Sequence, residues 1–436
     1  MTTHSSTIVR VLCSRVSEHT GQAITVQGWV HAIRGMGGLA FVDVRDRSGI
    51  VQCVLEGQLA ESPLSLESVV TVTGTAAASS KAPRGIEVHA SGVTCISKVE
   101  APLPFEINKK NISARLDTVL DHRVLSLRHP KVHATFRIQS ALAGAFRDYL
   151  SSRQFTQIFT PKIVASGTEG GSNLFPVDYF EQKAYLAQSP QFYKQMMVGA
   201  GYERVFEIAP VYRAEEHNTS RHLNEYVSLD AEMGFIRSEE ELMDLEQHLL
   251  AYMFERAAAE CEAEFALLGV EVPVPGEIPR IPVAEAQQIL QRKYGKTSPK
   301  GDLDPEGERL ICQYASEPNK PAFVFVTRYP REIRPMYAMP ASDNAALTAS
   351  FDLLFNGLEI TTGGQRIHDY EQLSESIRSR GLDPTHFAGY LDVFRYGMPP
   401  HGGFAIGLER LTSRLLGLPN VREAAAFPRD RTRLTP

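Results

Sequence analysis

The chain has 436 residues, 43% of them apolar and 22% charged, with a formal net charge of -6. This length accommodates two or three domains with a sizeable core, and the composition is that of a soluble globular protein. The acidic balance argues against a protein that coats nucleic acid indiscriminately, while leaving room for a local basic patch. Five cysteines, at positions 13, 53, 95, 261 and 312, show no CxxC spacing. Neither a zinc site nor a disulfide framework is indicated, and a reducing compartment fits. The N-terminal stretch lacks a basic segment followed by an apolar core, and no run of eighteen apolar residues occurs, so the expectation is a cytoplasmic enzyme with no membrane attachment.

Residues 24 to 99 alternate as five strands separated by short turns, with one short helical candidate near 57 to 67. Five strands in so short a span predict a small closed barrel of the oligonucleotide-binding type. In such a barrel an exposed aromatic and a nearby amide can read an unstacked base, and Phe41 and Gln52 are the candidates. Taken alone, Phe41 would more often be a core residue, and Trp29 is assigned to core packing. From 101 to 130 proline and charge take over, which places a linker and the domain boundary there. Domains are expected over 1–104 and 133–436, with a hinge at 105–132. Ala134, Ile138, Ala141, Leu142, Ala145 and Tyr149 follow helical spacing and predict a helix from about 133 to 152, then a strand over Phe155 to Thr160 ended by Pro161. That helix and strand could form a dimer edge or an intramolecular core face.

The loop SGTEGGSNLFPV carries Glu169; glycine-rich loops often close over substrates, and more often are only turns. In AYLAQSPQFYKQMMV, Gln188, Ser189, Gln191 and Lys194 stand between an apolar strand and a helix beginning near Pro190, where free N–H groups attract anions. Lys194 could equally be a solvated surface lysine. Residues 203 to 235 predict two antiparallel strands joined by a long charged loop. Arg213, Glu215, His217, Arg221 and His222 crowd that loop: two arginines can clamp phosphate, and Tyr226 can offer a ring face to a base. Residues 238 to 320 carry nothing assignable chemically and read as a peripheral insertion.

FDLLFNGLEITTGGQRIHDY, residues 351 to 370, reads as a hairpin about Asn356-Gly357. If Phe355 faces Leu358, alternation pairs Asp352 with Thr361 and puts Asp352, Leu354, Glu359 and Thr361 on one face. Two carboxylates on one face suit Mg²⁺ carrying a polyphosphate, or simply a solvated surface. A break of register at Gly363-Gly364 would re-aim Arg366 towards that face. The last segment couples a Gly-rich strand to a helix over about 408 to 416, with Arg410 in its first turn.

Pro161 after the long helix, Arg213-Ala214-Glu215, and GLERL around Arg410 resemble the three motifs of class II aminoacyl-tRNA synthetases. QSPQFYKQ, GLEITTGGQRIHDY and the closing AFPRDRTRLTP resemble more specifically the archaeal-type branch of aspartyl-tRNA synthetases. The resemblance implies an α+β fold: an N-terminal five-stranded anticodon-binding barrel, a hinge, and a catalytic domain whose mostly antiparallel sheet is flanked by helices. It implies that Arg213 holds the α-phosphate of ATP, that Glu215 meets the adenine amino group and Tyr226 stacks on the ring, and that Arg221 and Arg410 take the γ-phosphate with His222 beside them. Asp352 and Glu359 would hold Mg²⁺. Glu169, Gln191 and Asp230 would receive the ammonium of L-aspartate, and Lys194 and Arg366 its side-chain carboxylate. Partners implied are tRNA(Asp) and a second copy of the chain. His31 and Pro83 stand where members restricted to tRNA(Asp) carry tryptophan and lysine. These two resemble relaxed members that also charge tRNA(Asn), whose product a separate amidotransferase converts. The competing readings are an asparaginyl-tRNA synthetase and a non-catalytic tRNA-binding paralogue.

Overall fold

The structure, a computed structural model, describes residues 9–168, 173–316 and 323–436. It separates into two compact units, residues 1–129 and 130–436.

In the first unit β1 (Ala23–Met36), β2 (Leu39–Asp46), β3 (Gly49–Glu56), β4 (Val69–Ala78) and β5 (Ile86–Ser97) close into a barrel in the order β1-β2-β3-β5-β4. Gly37 and Gly38 both have positive φ, 50° and 79°, which is what a tight turn between β1 and β2 demands. Strand alternation drives Val26, Val30, Val42, Val44, Val51, Val70, Val72 and Val88 inward as the barrel core. Trp29 is not among them. It falls on the opposite phase of β1, half-buried, with the Arg128 guanidinium 5.2 Å from its ring centroid, so its assignment to the core is corrected. The short helices α1 (Leu116–Asp121) and α2 (Arg123–Ser126) complete this unit.

The second unit begins with α3 (Pro130–Ser152), three residues ahead of the expected start. The strand expected over 155–160 shrinks to β6 (Thr156–Gln157). A small three-stranded sheet follows, from β7 (Ile163–Val164), β8 (Pro176–Tyr179) and β9 (Gln182–Leu186), then α4 (Gln191–Met197). The expected charged hairpin is β10 (Arg204–Tyr212) and β11 (Glu225–Gly234), paired antiparallel. Beyond it come α5 (Glu240–Glu260), α6 (Glu262–Leu268), β12 (Arg280–Pro282), α7 (Val283–Tyr294), α8 (Pro305–Ala315) and β13 (Phe323–Thr327). The remaining elements are β14 (Ser350–Phe355), β15 (Leu358–Arg366), α9 (Tyr370–Arg378), α10 (Ala388–Arg395), β16 (His401–Gly407) and α11 (Leu408–Leu415).

These strands form a sheet in the order β12-β13-β14-β15-β16-β11-β10-β6 among the described residues. Its two end pairs, β12/β13 and β10/β6, are parallel and the pairs between them antiparallel. One face carries Phe206, Leu229, Ala231, Phe351, Leu353, Phe355, Phe404 and Ile406 into a core shared with α3 and α5. The segment 238–320 is therefore no peripheral insertion. Leu249, Leu250, Met253 and Phe254 of α5 lie at the centre of that core, and α7 and α8 cover the β13/β14 end through Leu290, Leu310 and Ile311. The acids of α5 concealed an amphipathic pattern whose Leu249, Leu250, Met253 and Phe254 are fully buried.

The turn of the 351–370 hairpin is as expected, with Phe355 opposite Leu358 and Leu354 opposite Glu359. The next pair is Leu353 with Thr361, so Ile360 is an extra residue and the bulge lies there, not at Gly363-Gly364. Asp352 consequently faces Thr362. Thr361 turns to the core side, towards the buried Glu246 of α5. From the bulge onward alternation puts Thr362, Gly364 and Arg366 on the face of Asp352.

Candidate active site

On the face of the sheet opposite the core lies a cavity of about 1130 Å³, ample for a nucleotide with a small acid. Period 2 along β11 sends Tyr226, Ser228, Asp230 and Glu232 to this side in a row. Glu232 sits opposite Gly403 of β16 and Asp230 opposite Ala405. The floor must be small: a Cβ on Gly403 would lie 2.2 Å from Glu232 Oε2 and 2.0 Å from the Ala231 carbonyl oxygen.

At one end the cations gather. Arg366 Nε donates to Glu232 Oε1 at 3.1 Å, and its Nη2 to the Gly403 carbonyl at 3.0 Å and Gln191 Oε1 at 3.4 Å. Lys194, on the inner side of α4, donates to Asp230 Oδ1 at 2.9 Å and lies 3.2 Å from Glu232 Oε2. Burial works against a charge on Glu232, but Arg366 and Lys194 beside it hold the carboxyl below its ordinary range. Lys194 and Arg366 thus converge on one carboxylate. Arg366, Gln191 and Asp230 line the cavity, whereas Lys194 is 1% exposed and stands behind Asp230 and Glu232 rather than in the wall. It is no solvated surface lysine. Among the described residues Gln191 Nε2 is buried with no hydrogen-bond partner. Glu169 lies outside the described residues; its neighbour Thr168 lines the cavity.

At the other end are the expected nucleotide groups. Arg213 and Glu215 follow β10 directly, and Arg221 and His222 occupy the irregular loop that leads to β11; all four line the cavity with Tyr226, Glu359 and Arg410. The Arg213 guanidinium lies 5.8 Å from the Tyr226 ring centroid. Arg410, in the first turn of α11, donates through Nη1 to the Glu359 carbonyl at 3.0 Å and lies 3.5 Å from Glu359 Oε1. Its Nε donates to the Arg221 carbonyl at 3.4 Å. Desolvation, then the charge of Arg410, pulls the His222 imidazole below its usual value, so it presents a neutral ring. Arg221 does not stand alone: its Nη2 donates to Glu308 of α8, a carboxyl that burial raises to about 7.

Asp352 and Glu359 form the candidate metal pair. Asp352 Oδ2 accepts from Arg334 Nη2 at 2.7 Å, while its Oδ1 is buried with no partner among the described residues. Burial, and then Glu359, raise Asp352 against the pull of Arg334. Burial likewise opposes ionisation of Glu359, yet Arg410 and Arg334 keep it below the ordinary value. Two hard carboxylates close enough to shift each other, one with an unused buried oxygen, fit Mg²⁺. No group of three or more His, Cys, Asp or Glu that could hold a metal occurs among the described residues, so phosphate and water oxygens would complete the shell.

In the barrel Phe41 is half-buried on the outward phase of β2, opposite Arg34 and Val54, not in the core. Gln52 accepts from Arg34 Nη2 at 2.9 Å and donates to Glu87 Oε2 at 2.8 Å. His31 Nδ1 lies 2.8 Å from Arg45 Nη1. Burial and then Arg45 lower its pKa to about 4, so the ring is neutral, accepts at Nδ1 and carries its proton on Nε2. Pro83 is exposed between β4 and β5.

Sequence reasoning missed three side chains. Glu232 was within reach, since alternation from Tyr226 and Asp230 leads straight to it. Arg334 and Glu308 had no local signal, and their partners are 18 and 87 residues away.

Residues 115–431 match the family described as tRNA synthetases class II (D, K and N), and residues 24–96 that described as OB-fold nucleic acid binding domain. The chain is 53% identical to the aspartate–tRNA(Asp/Asn) ligase of Deinococcus radiodurans, over 99% of this chain and all of that one. It is 54% identical to the enzyme of the same name from Thermus thermophilus, over 98% and 100%. Among solved structures, asparaginyl-tRNA synthetase from Pyrococcus horikoshii with asparaginyl-adenylate superposes with a TM-score of 0.91 at 33% identity, covering 98% of this chain and 99% of that one.

Proposed function

The chain belongs to the class II aminoacyl-tRNA synthetases of the aspartate, lysine and asparagine group, and from that premise we propose that it activates L-aspartate with ATP and esterifies it to tRNA(Asp) and tRNA(Asn). The observation that carries the choice of amino acid is the meeting of Lys194 and Arg366 on the single carboxylate of Glu232, beside a cavity end lined by Asp230 and Gln191.

Aspartate enters with its side-chain carboxylate towards Arg366, with Lys194 adding charge from behind, and its ammonium towards Asp230, joined by Gln191 and Glu169. Its α-carboxylate oxygen attacks the α-phosphorus, the bond to the bridging oxygen breaks, and pyrophosphate leaves. No protein base is required. Arg213 neutralises the α-phosphate as charge develops, Arg410 and Arg221 steady the terminal phosphate with His222 beside them, Tyr226 stacks on adenine and Glu215 accepts from its amino group. When bound by Asp352 and Glu359, Mg²⁺ supplies charge neutralisation to the polyphosphate. The terminal ribose hydroxyl of tRNA then takes the acyl group and AMP is released.

Asparagine is isosteric with aspartate, so rejection rests on charge: its neutral amide forgoes the charge-assisted hydrogen bonds that a side-chain carboxylate makes to Arg366, with Lys194 behind, a difference worth about 10⁴ to 10⁵ in a site built for such bonds. In the barrel, Phe41 stacks on an anticodon base and Gln52 reads its edge. His31 and Pro83 leave the third anticodon position permissive to C or U, and an amidotransferase would convert the aspartyl-tRNA(Asn). A homodimer through the α3–Pro161 region and a cytoplasmic location complete the proposal. Charging transcripts of both tRNAs with aspartate and with asparagine tests it: aspartyl ester on both is expected, and asparaginyl ester alone would overturn it.

A further inference from the structure

Glu308 lies in the first turn of α8, where Asp304 caps the helix by accepting from the Gly307 N–H at 2.8 Å. Nothing in the expected chemistry calls for an acid there, yet its buried carboxylate touches the nucleotide end of the cavity at two points. Oε2 accepts from Arg221 Nη2 and, at 2.9 Å, from the backbone N–H of Glu359. Glu359 meets Arg410, whose Nε returns to the Arg221 carbonyl. The contacts close into a ring of Glu308, Arg221, Arg410 and Glu359.

Arg221 needs such a partner. It stands in a loop without regular structure between β10 and β11, and an arginine there has a large rotamer entropy to lose whenever it grips a ligand. A buried ion pair is a poor source of stability in itself. One that fixes a ligand-facing guanidinium lowers the entropy lost on binding.

We propose that Glu308 is a positioning residue for the nucleotide: it presets Arg221 for the terminal phosphate of ATP and ties it to the backbone of Glu359. The fork has five N–H donors, so engaging one nitrogen leaves others for phosphate. The proposal rests on the reading of Arg221 as a γ-phosphate ligand.

The test compares ATP with a sulfamoyl analogue of aspartyl adenylate, which has no β- or γ-phosphate. In Glu308→Ala the KM for ATP in pyrophosphate exchange should rise about tenfold, the scale of a lost hydrogen bond to a charged group. The Kd of the analogue should stay within about twofold of the parent, because none of its atoms reaches Arg221. Glu308→Gln, which keeps an acceptor oxygen, should recover most of the loss. Glu308→Asp, which keeps the charge but retracts it, should show the same split to a smaller degree and serves if the alanine variant fails to fold. An unchanged KM for ATP, or analogue affinity falling in equal proportion, would overturn the proposal. Arg221→Ala separates the two readings. If it raises the KM for ATP while the Glu308 variants do not, only the positioning role fails; if it leaves that KM unmoved, the γ-phosphate role of Arg221 fails and the proposal with it.

Discussion

Glu232 receives Arg366 on one oxygen and Lys194 on the other, so one buried carboxylate sets the spacing of two cations. Glu232→Gln retains the shape and removes the charge. Lys194 keeps Asp230 and Arg366 keeps the Gly403 carbonyl, but both lose the charge between them, and the KM for aspartate should rise about 10- to 100-fold, the usual consequence of breaking a buried charged hydrogen bond. Pyrophosphate exchange at saturating ATP checks this, and a KM within a factor of two of the parent would remove Glu232 from the site's design. The glycine opposite is as constrained. Gly403→Ala drives a methyl group into Glu232 and the Ala231 carbonyl, so it should destabilise the second unit by about 1–3 kcal/mol or more, visible as a lowered melting temperature.

The decisive feature at the scale of elements is the bulge at Ile360. Without it Arg366 would point to the core face, and it is the extra residue that brings Asp352, Thr362 and Arg366 to one surface. The sequence shows that Asp352 and Arg366 have opposite phase in an unbroken hairpin and that a break of register would unite them, but neither that the break occurs nor where. The glycine pair draws attention, whereas the actual bulge lies beside an apolar residue held in the core. The same bulge turns Thr361 towards Glu246, which is wholly buried in α5 and whose carboxyl burial raises from 4.5 to about 8. Below about pH 4.5 this group is protonated folded and unfolded alike. From there to about 8 the folded chain keeps a proton that the unfolded chain releases, so its contribution to stability declines as pH rises across that window. Glu246→Gln should abolish the decline and be more stable than the parent by about 4 kcal/mol at pH 8.5, with little difference at pH 5. Denaturant unfolding at the two pH values measures it; equal gains at both would contradict the linkage.

For the whole molecule, the barrel and the three motif regions were legible from sequence because each has a local signature: alternation closed by turns, charge crowded in one loop, glycines running into a helix start. What escaped were contacts that only the folded chain creates, such as Glu308 reaching Arg221 across 87 residues, and the central place of α5, whose acids mask its buried leucines. The proposed pairing of two copies is a property of the whole molecule. Phe159 is 84% exposed on the segment after β6, and Glu207 fixes that segment by accepting from the Thr160 N–H and from Lys162. An aromatic held out on a rigid support fits a subunit interface. In the proposed homodimer, Phe159→Glu should raise the dissociation constant by about tenfold or more, as read by sedimentation equilibrium; an unchanged constant would remove this segment from the interface.

Amino-acid choice is tested most directly by ATP–pyrophosphate exchange on the purified protein, with aspartate and asparagine compared at matched concentrations. Two cations converging beside a cavity for a dicarboxylate predict exchange with aspartate and a kcat/KM for asparagine lower by about three orders of magnitude or more. Exchange supported by asparagine as well as or better than by aspartate would contradict it.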